Sequence, residues 1–177
     1  MDLSVEPLVN DKWAVSIPLM SYQKGAVIVQ MLDDVIGPDR FQRLLRHYVR
    51  IYQFGVASTH DFLKLLRRVT KDMKTDIVEF FSVWLHQGSH PIVFIDYDKS
   101  LNRFILTQTP KMGSPEARWP IPIWTECVSG KRKPQLHWIP RNKQLVLDLD
   151  QLTGTNSSSG VAFNRKKTVY YQLSYRY

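Results

Sequence analysis

The residues with the spacing to do chemistry are few, and most of the arrangements they suggest fail on inspection. His86 and His90 stand four apart, the interval that places two ligands on one helix face, but Gly88, Ser89 and Pro91 break any helix that would carry both. His47 and His60 fall at helix surfaces or caps, and His137 alternates with strand neighbours, so each is expected to be structural. The sequence has no G-x-S-x-G elbow, no G-x-x-x-x-G-K-[ST] phosphate loop, no G-x-G-x-x-G and no H-E-x-x-H pair. The one cysteine, Cys127, can neither close an internal disulfide nor build a cysteine zinc site by itself. What remains is Ser21-Tyr22-Gln23-Lys24-Gly25-Ala26 at the entrance to an apolar helical stretch. A phenol ordinarily ionises only near pH 10, so a tyrosine there can donate a neutral O–H hydrogen bond at working pH. Position alone favours the plainer role for Tyr22, packing a helix N-terminus. Lys24 is expected to be structural, and Gly25 to admit the close approach of another backbone or helix.

Hydrophobic periodicity places these residues on elements. Ala26, Val27, Met31, Leu32 and Val35 fit a helix ending at Gly37; Pro38 and Asp39 open a second helix with Phe41, Leu44, Leu45, Tyr48, Val49 and Tyr52 on its apolar side, stopped by Gly55. Ser58 with Asp61 three positions on predicts a capping box before Phe62, Leu63, Leu65, Leu66 and Val69. A fourth helix is expected from about Asp76 to Leu85. After Pro91 the period changes to short β-branched and aromatic runs: 92–97, 104–109, 121–128, 136–139, 145–149 and 169–175. The expected fold is therefore α+β, a unit of about four helices at 1–88 followed by a small antiparallel β-sandwich at 89–177.

Composition agrees and excludes other classes. The chain has 177 residues, 44% hydrophobic and 12% aromatic, ample for a core and incompatible with disorder. No apolar run reaches the roughly 18 residues that span a bilayer. Residues 1–90 hold 11 Lys+Arg and 10 Asp+Glu, and residues 91–177 hold 13 and 6, so the net charge of +8 belongs mostly to the second half. Its clusters, Lys131-Arg132-Lys133 and Arg165-Lys166-Lys167, fall at turn-like places and are expected to be solvated.

Ser21-Tyr22-Gln23-Lys24-Gly25-Ala26 resembles the S-Y-x-K-G-A stretch of the aminopeptidase N-like zinc metalloaminopeptidases, a gluzincin family. The likeness runs on through Met31-Leu32, Phe41, Tyr48, the Gly55 turn and the Thr59–Phe62 helix start. Trp84, Gln87 and Pro91 resemble the W-x-x-Q-x-G-x-P stretch where the family's catalytic domain passes into a β-sandwich, with Ser89 at the place of its usual Gly. Gln108, Trp119-Pro120-Ile121-Pro122 and Tyr170-Tyr171-Gln172-Leu173-Ser174-Tyr175 resemble successive sandwich strands.

The resemblance implies that Tyr22 is the catalytic tyrosine, whose hydroxyl stabilises the oxyanion of the tetrahedral intermediate. It implies zinc as the family's cofactor. The family's H-E-x-x-H ligands, its further Glu ligand and its G-x-M-E-N segment do not occur in this sequence. No zinc is therefore expected to bind this chain alone, and the chain is expected to be inactive alone, either a truncation or a pseudoenzyme. Peptide substrates are expected only if the missing catalytic half is supplied. Apolar surface at Phe41, Phe62, Leu66 and Phe81 is expected to be partly exposed and open to a protein partner or self-association. A second class of function, a non-catalytic basic module using Tyr170, Tyr171, Tyr175, Arg176 and Tyr177, is disfavoured because these tyrosines match a strand; no nucleic acid is expected. The sequence does not encode a compartment, and the family resemblance points to membrane-associated or extracellular enzymes alongside cytosolic ones. Asn156-Ser157-Ser158 is an N-x-S sequon that would be used only in the secretory pathway.

Overall fold

A computed structural model describes residues 7–9, 19–128, 132–154 and 160–176. The Asn156 sequon lies outside these residues, as do Lys131 and Tyr177. Four helices come first: α1 (Leu19–Ile36), α2 (Pro38–Tyr52), α3 (Thr59–Val69) and α4 (Ile77–His86). In α1, Ile28, Met31, Leu32, Val35 and Ile36 form the buried stripe that spacings of 3 and 4 require. Gly37, at φ 83, turns the chain into α2, and Pro38 fills the first helical position, where its missing N–H costs nothing.

The predicted capping box is present, and α4 carries a side-chain cap as well. The Asp61 N–H donates to Ser58 Oγ at 3.2 Å and the Ser58 N–H donates to Asp61 Oδ2 at 3.0 Å, the reciprocal capping box at the head of α3. At α4 the Glu79 N–H donates to Asp76 Oδ1 at 2.9 Å. The stop after α2 differs from expectation. Phe54 holds the left-handed backbone at φ 62, whereas Gly55 does not, so Gly55 is not the residue that ends the helix.

Seven strands follow: β1 (Pro91–Asp98), β2 (Arg103–Pro110), β3 (Ile121–Cys127), β4 (Gln135–Ile139), β5 (Leu145–Asp148), β6 (Val161–Phe163) and β7 (Gln172–Arg176), with a short helix α5 (Leu149–Thr153) between β5 and β6. They form two sheets, β5-β2-β1-β7 and β4-β3-β6. The fold is thus α+β with a small sandwich, antiparallel at every pairing but one. Strand β7 runs parallel to β1, Ile92 opposite Gln172 and Asp96 opposite Arg176. A hairpin cannot make that pairing; β7 reaches it by crossing back from β6 in the other sheet.

Helices and sandwich share one hydrophobic core. Trp84 of α4 is fully buried, 6.1 Å from the Trp119 ring and 6.3 Å from Tyr171, and its Nε1–H donates to the Pro120 carbonyl at 3.0 Å. Phe80 meets Trp138 edge-on at 5.1 Å. Gln108 is buried on β2, its amide donating to Trp119 O at 2.7 Å and Pro140 O at 3.2 Å while its oxygen accepts the Trp119 N–H at 2.9 Å. One expectation about turns fails here. Lys167 is not merely solvated, because its Nζ lies 2.5 Å from Asp34 of α1 and 5.2 Å from the Trp124 ring centroid.

The expected partly exposed apolar surface holds at Phe41 and Phe62 and is corrected at Leu66 and Phe81. Leu66 and Phe81 are buried and Phe41 and Phe62 half-buried, because α2, α3 and α4 pack on one another through a chain of rings from Tyr48 to Phe62 at 5.7 Å and Phe62 to Phe81 at 5.6 Å.

Candidate active site

Helix α1 positions the candidate residues in its first turns. Tyr22 is 67% exposed and lies on open surface. Two residues later Lys24 is only 2% exposed. Its Nζ donates to the Gln87 carbonyl at 3.2 Å and stands 5.4 Å from the centroid of Tyr170, a ring that also meets His90 at 5.4 Å. Burial pushes the Lys24 amine down to about 8. Lys24 is thus the structural residue it was expected to be, but a buried one: it pins the start of α1 to the point where α4 gives way to β1. A Cβ at Gly25 would meet no atom within 4 Å, so no neighbour among the described residues makes use of its missing side chain.

This arrangement sets the side of α1 on which Tyr22 stands. Residues 24, 28, 31 and 35 share the inner stripe of α1, and position 22 falls outside that stripe. Several clefts lie elsewhere. One of about 390 Å3 on the sandwich is lined by residues including Gln108, Arg118, Arg141 and Lys143, and one of about 330 Å3 between helices by Val29, Tyr48, Phe62 and Phe81.

The histidines are held in local roles. His86 Nδ1 lies 2.9 Å from the Ser82 carbonyl and His47 Nδ1 2.7 Å from that of Arg43, each one helical turn back. His137 Nε2 is 2.9 Å from Thr125 Oγ1, and burial lowers its pKa. Helix α4 ends at His86, before His90. Among the described residues no group of three His, Cys, Asp or Glu could hold a metal ion, so these residues do not fit a zinc site.

The sandwich tyrosines face inward at the centre of their run. Tyr171 is buried, its hydroxyl donating to the Pro122 carbonyl and accepting from Asn164 Nδ2 at 2.8 Å; burial pushes its phenol well above the ordinary range. Sequence reasoning missed one further feature, Ser89. It is buried at φ 63, and its Oγ accepts the Met112 N–H at 3.2 Å. The available signal was the family's glycine at this place, which a left-handed backbone favours.

Comparison with known proteins bears on both halves. The Peptidase family M1 domain matches residues 14–84, a span that contains Tyr22 and all four helices up to Trp84. Aminopeptidase M1-C of Oryza sativa subsp. japonica is 24% identical over 163 residues, covering 88% of this chain and 18% of that protein. Membrane alanyl aminopeptidase of Manduca sexta is 27% identical over 185 residues, covering 94% and 18%. Glutamyl aminopeptidase of Homo sapiens is 32% identical over 114 residues, covering 60% and 12%. The chain therefore spans less than a fifth of the length of these relatives. M1-family aminopeptidases are zinc enzymes generally. From the Tyr22 helix into the strands of the sandwich, this chain is M1 aminopeptidase-like.

Proposed function

We propose that residues 1–88 correspond to the C-terminal helices of an M1-type catalytic domain and 89–177 to the β-sandwich that follows it. Tyr22 then serves in removal of N-terminal amino acids from peptides, with metal ligands and general base supplied by residues outside this chain. The observation that carries this reading is the placement of Tyr22: exposed in the first turn of α1, inside the M1 match, on a helix whose start is anchored by the buried Lys24. A tyrosine that merely packed a helix end would be covered. An outward-facing phenol can donate its O–H to an oxygen that gains negative charge as a peptide carbonyl becomes tetrahedral. One preorganised donor of this kind is worth about 2.7 to 4 kcal/mol in the transition state, because it is aimed at charge that the ground state lacks.

Two measurements test the reading. The purified chain should bind no stoichiometric zinc by metal analysis and release no amino acid from aminoacyl anilides. When the chain is joined to an M1 segment bearing H-E-x-x-H, turnover should appear, and Tyr22→Phe should lower it roughly 100-fold or more with zinc content and folding unchanged. Near-normal turnover by that variant ends the catalytic assignment of Tyr22.

A further inference from the structure

The end of α2 and the turn after it present apolar side chains that no other described residue covers. Val49 is 62% exposed, Val56 95% and Phe54 fully so, with Leu45 and Ile51 partly uncovered beside them. Phe54 is displayed from a left-handed backbone, φ 62, that a bulky side chain adopts only at a cost. Basic residues accompany this patch. Arg43, Arg46 and Arg50 are exposed on the same helix, whose one acidic residue, Asp39, lies in its first turn; Arg40 is engaged with Asp72 at 2.6 Å. The nearest following acid, Asp61, is held in the capping box of α3.

We propose that this end of α2 docks on an anionic lipid surface, with Phe54 and Val56 entering the boundary between headgroups and acyl chains and Arg43, Arg46 and Arg50 meeting the headgroup charges. The combination of arginines on an amphipathic helix with exposed aromatic and aliphatic groups at its end and in the turn after it is what such a surface rewards. Shape favours lipid over a protein helix. The shallow groove here, about 520 Å3, is lined by Leu45, Arg46, Val49 and Arg50 of α2 and by Gln53, the residue that caps it. It is a stripe along one helix, and an incoming amphipathic helix needs a trough between two elements. Charge disfavours a second copy, since a two-fold contact would set these arginines against their own equivalents.

The test is cosedimentation of the full chain with vesicles of phosphatidylcholine alone or mixed with phosphatidylserine. Binding to the mixed vesicles, weakened by salt, and little binding to the neutral ones are expected. Phe54→Asp with Val56→Asp should reduce partitioning about 10-fold or more, and Arg46→Gln with Arg50→Gln about 25-fold with a flatter salt dependence. Unchanged near-ultraviolet circular dichroism shows that each variant is folded. Lys143→Gln with Lys166→Gln, on sandwich turns, should change binding little. The proposal is overturned if phosphatidylserine vesicles are not bound, if neutral vesicles bind equally, if the Phe54 and Val56 variant binds as well as the parent, or if the sandwich variant loses as much as the α2 variants. Capture of an acidic amphipathic peptide at α2 without vesicle binding overturns it in favour of a protein partner.

Discussion

Tyr22 and Lys24 stand two residues apart on α1 and meet opposite surroundings. Lys24 belongs to the seam between helices and sandwich, where three large polar side chains are spent on structure: its amine on the Gln87 carbonyl, the Trp84 N–H on Pro120, the Gln108 amide on Trp119 and Pro140. Tyr22 belongs to the open first turn, where a strong donor faces outward. A buried donor lowers folding free energy by being satisfied and is then unable to serve a substrate; an exposed one contributes almost nothing to folding and keeps its hydrogen bond for something else. The contrast assigns stability to the seam and leaves the turn to the chemistry proposed for Tyr22, and it can be broken by substitution.

The largest effect is expected at Trp84. Trp84→Ala removes the ring that bridges Phe80, Trp119 and Tyr171 and leaves the Pro120 carbonyl without its donor, which should cost about 3 to 5 kcal/mol in urea denaturation. Tyr22→Ala, on open surface, should change stability by about 0.5 kcal/mol or less. Comparable losses at the two positions would remove the distinction between seam and turn.

Lys24 sharpens the comparison through pH. Burial disfavours its charged form, so its folded pKa of about 8 lies below the 10.5 of the unfolded chain. Below pH 8 both states carry the proton, and the full cost of burying the charge is present. Between pH 8 and 10.5 the unfolded chain binds more protons, so stability should rise with pH across that window, on the order of 2 to 3 kcal/mol from this group. The groups facing the amine include the Gln87 carbonyl and the Tyr170 ring, with His90 on that ring. Lys24→Met keeps the volume and should erase this rise. Tyr171, whose phenol burial shifts upward, contributes equally to both proteins and cancels in the difference. Parallel stability profiles for parent and variant between pH 8 and 10.5 would show that the amine is not held in a dehydrated site.

Much of this architecture was legible in the sequence because its signals are local. The 3-and-4 spacing of α1 to α4, the Ser58–Asp61 box and the Asp76 cap each depend on residues within two turns of one another. The strands bounded by Gly, Pro and Asn were found for the same reason. What escaped depends on contacts far apart in the chain. Strand β6 is three residues long, too short to show a period, and exists because Thr125 to Cys127 offer it an edge. The run beginning at Val169 becomes strand only from Gln172, because Tyr171 is diverted to bond Pro122 across the sandwich. The burial of Lys24 was readable in principle from its place four residues before Ile28 on the apolar stripe, a weak signal in a residue type that is usually exposed. Tyr22 could be singled out only by resemblance, since a tyrosine entering a helix has no spacing that marks it as chemical.

The smallest effect concerns Ser89, where the seam stores strain. Its backbone lies at φ 63, a region that costs a residue with a Cβ roughly 1 kcal/mol or more relative to glycine. Ser89→Gly and Ser89→Ala both remove the hydroxyl that accepts the Met112 N–H, so the difference between them isolates the backbone. Elsewhere in a chain alanine is the more stabilising of the two, because glycine gives the unfolded state more freedom to lose. At position 89 the order should invert, glycine exceeding alanine by about 1 kcal/mol in urea midpoints converted with a common slope. Serine should fall near glycine, its strain offset by the bond to Met112. An alanine variant as stable as the glycine variant would mean that the backbone at 89 relaxes out of the left-handed region when its side chain is cut back, and that the helix-to-sandwich turn is held by the serine hydroxyl and not by the packing of Trp84 and Gln87 that precede it.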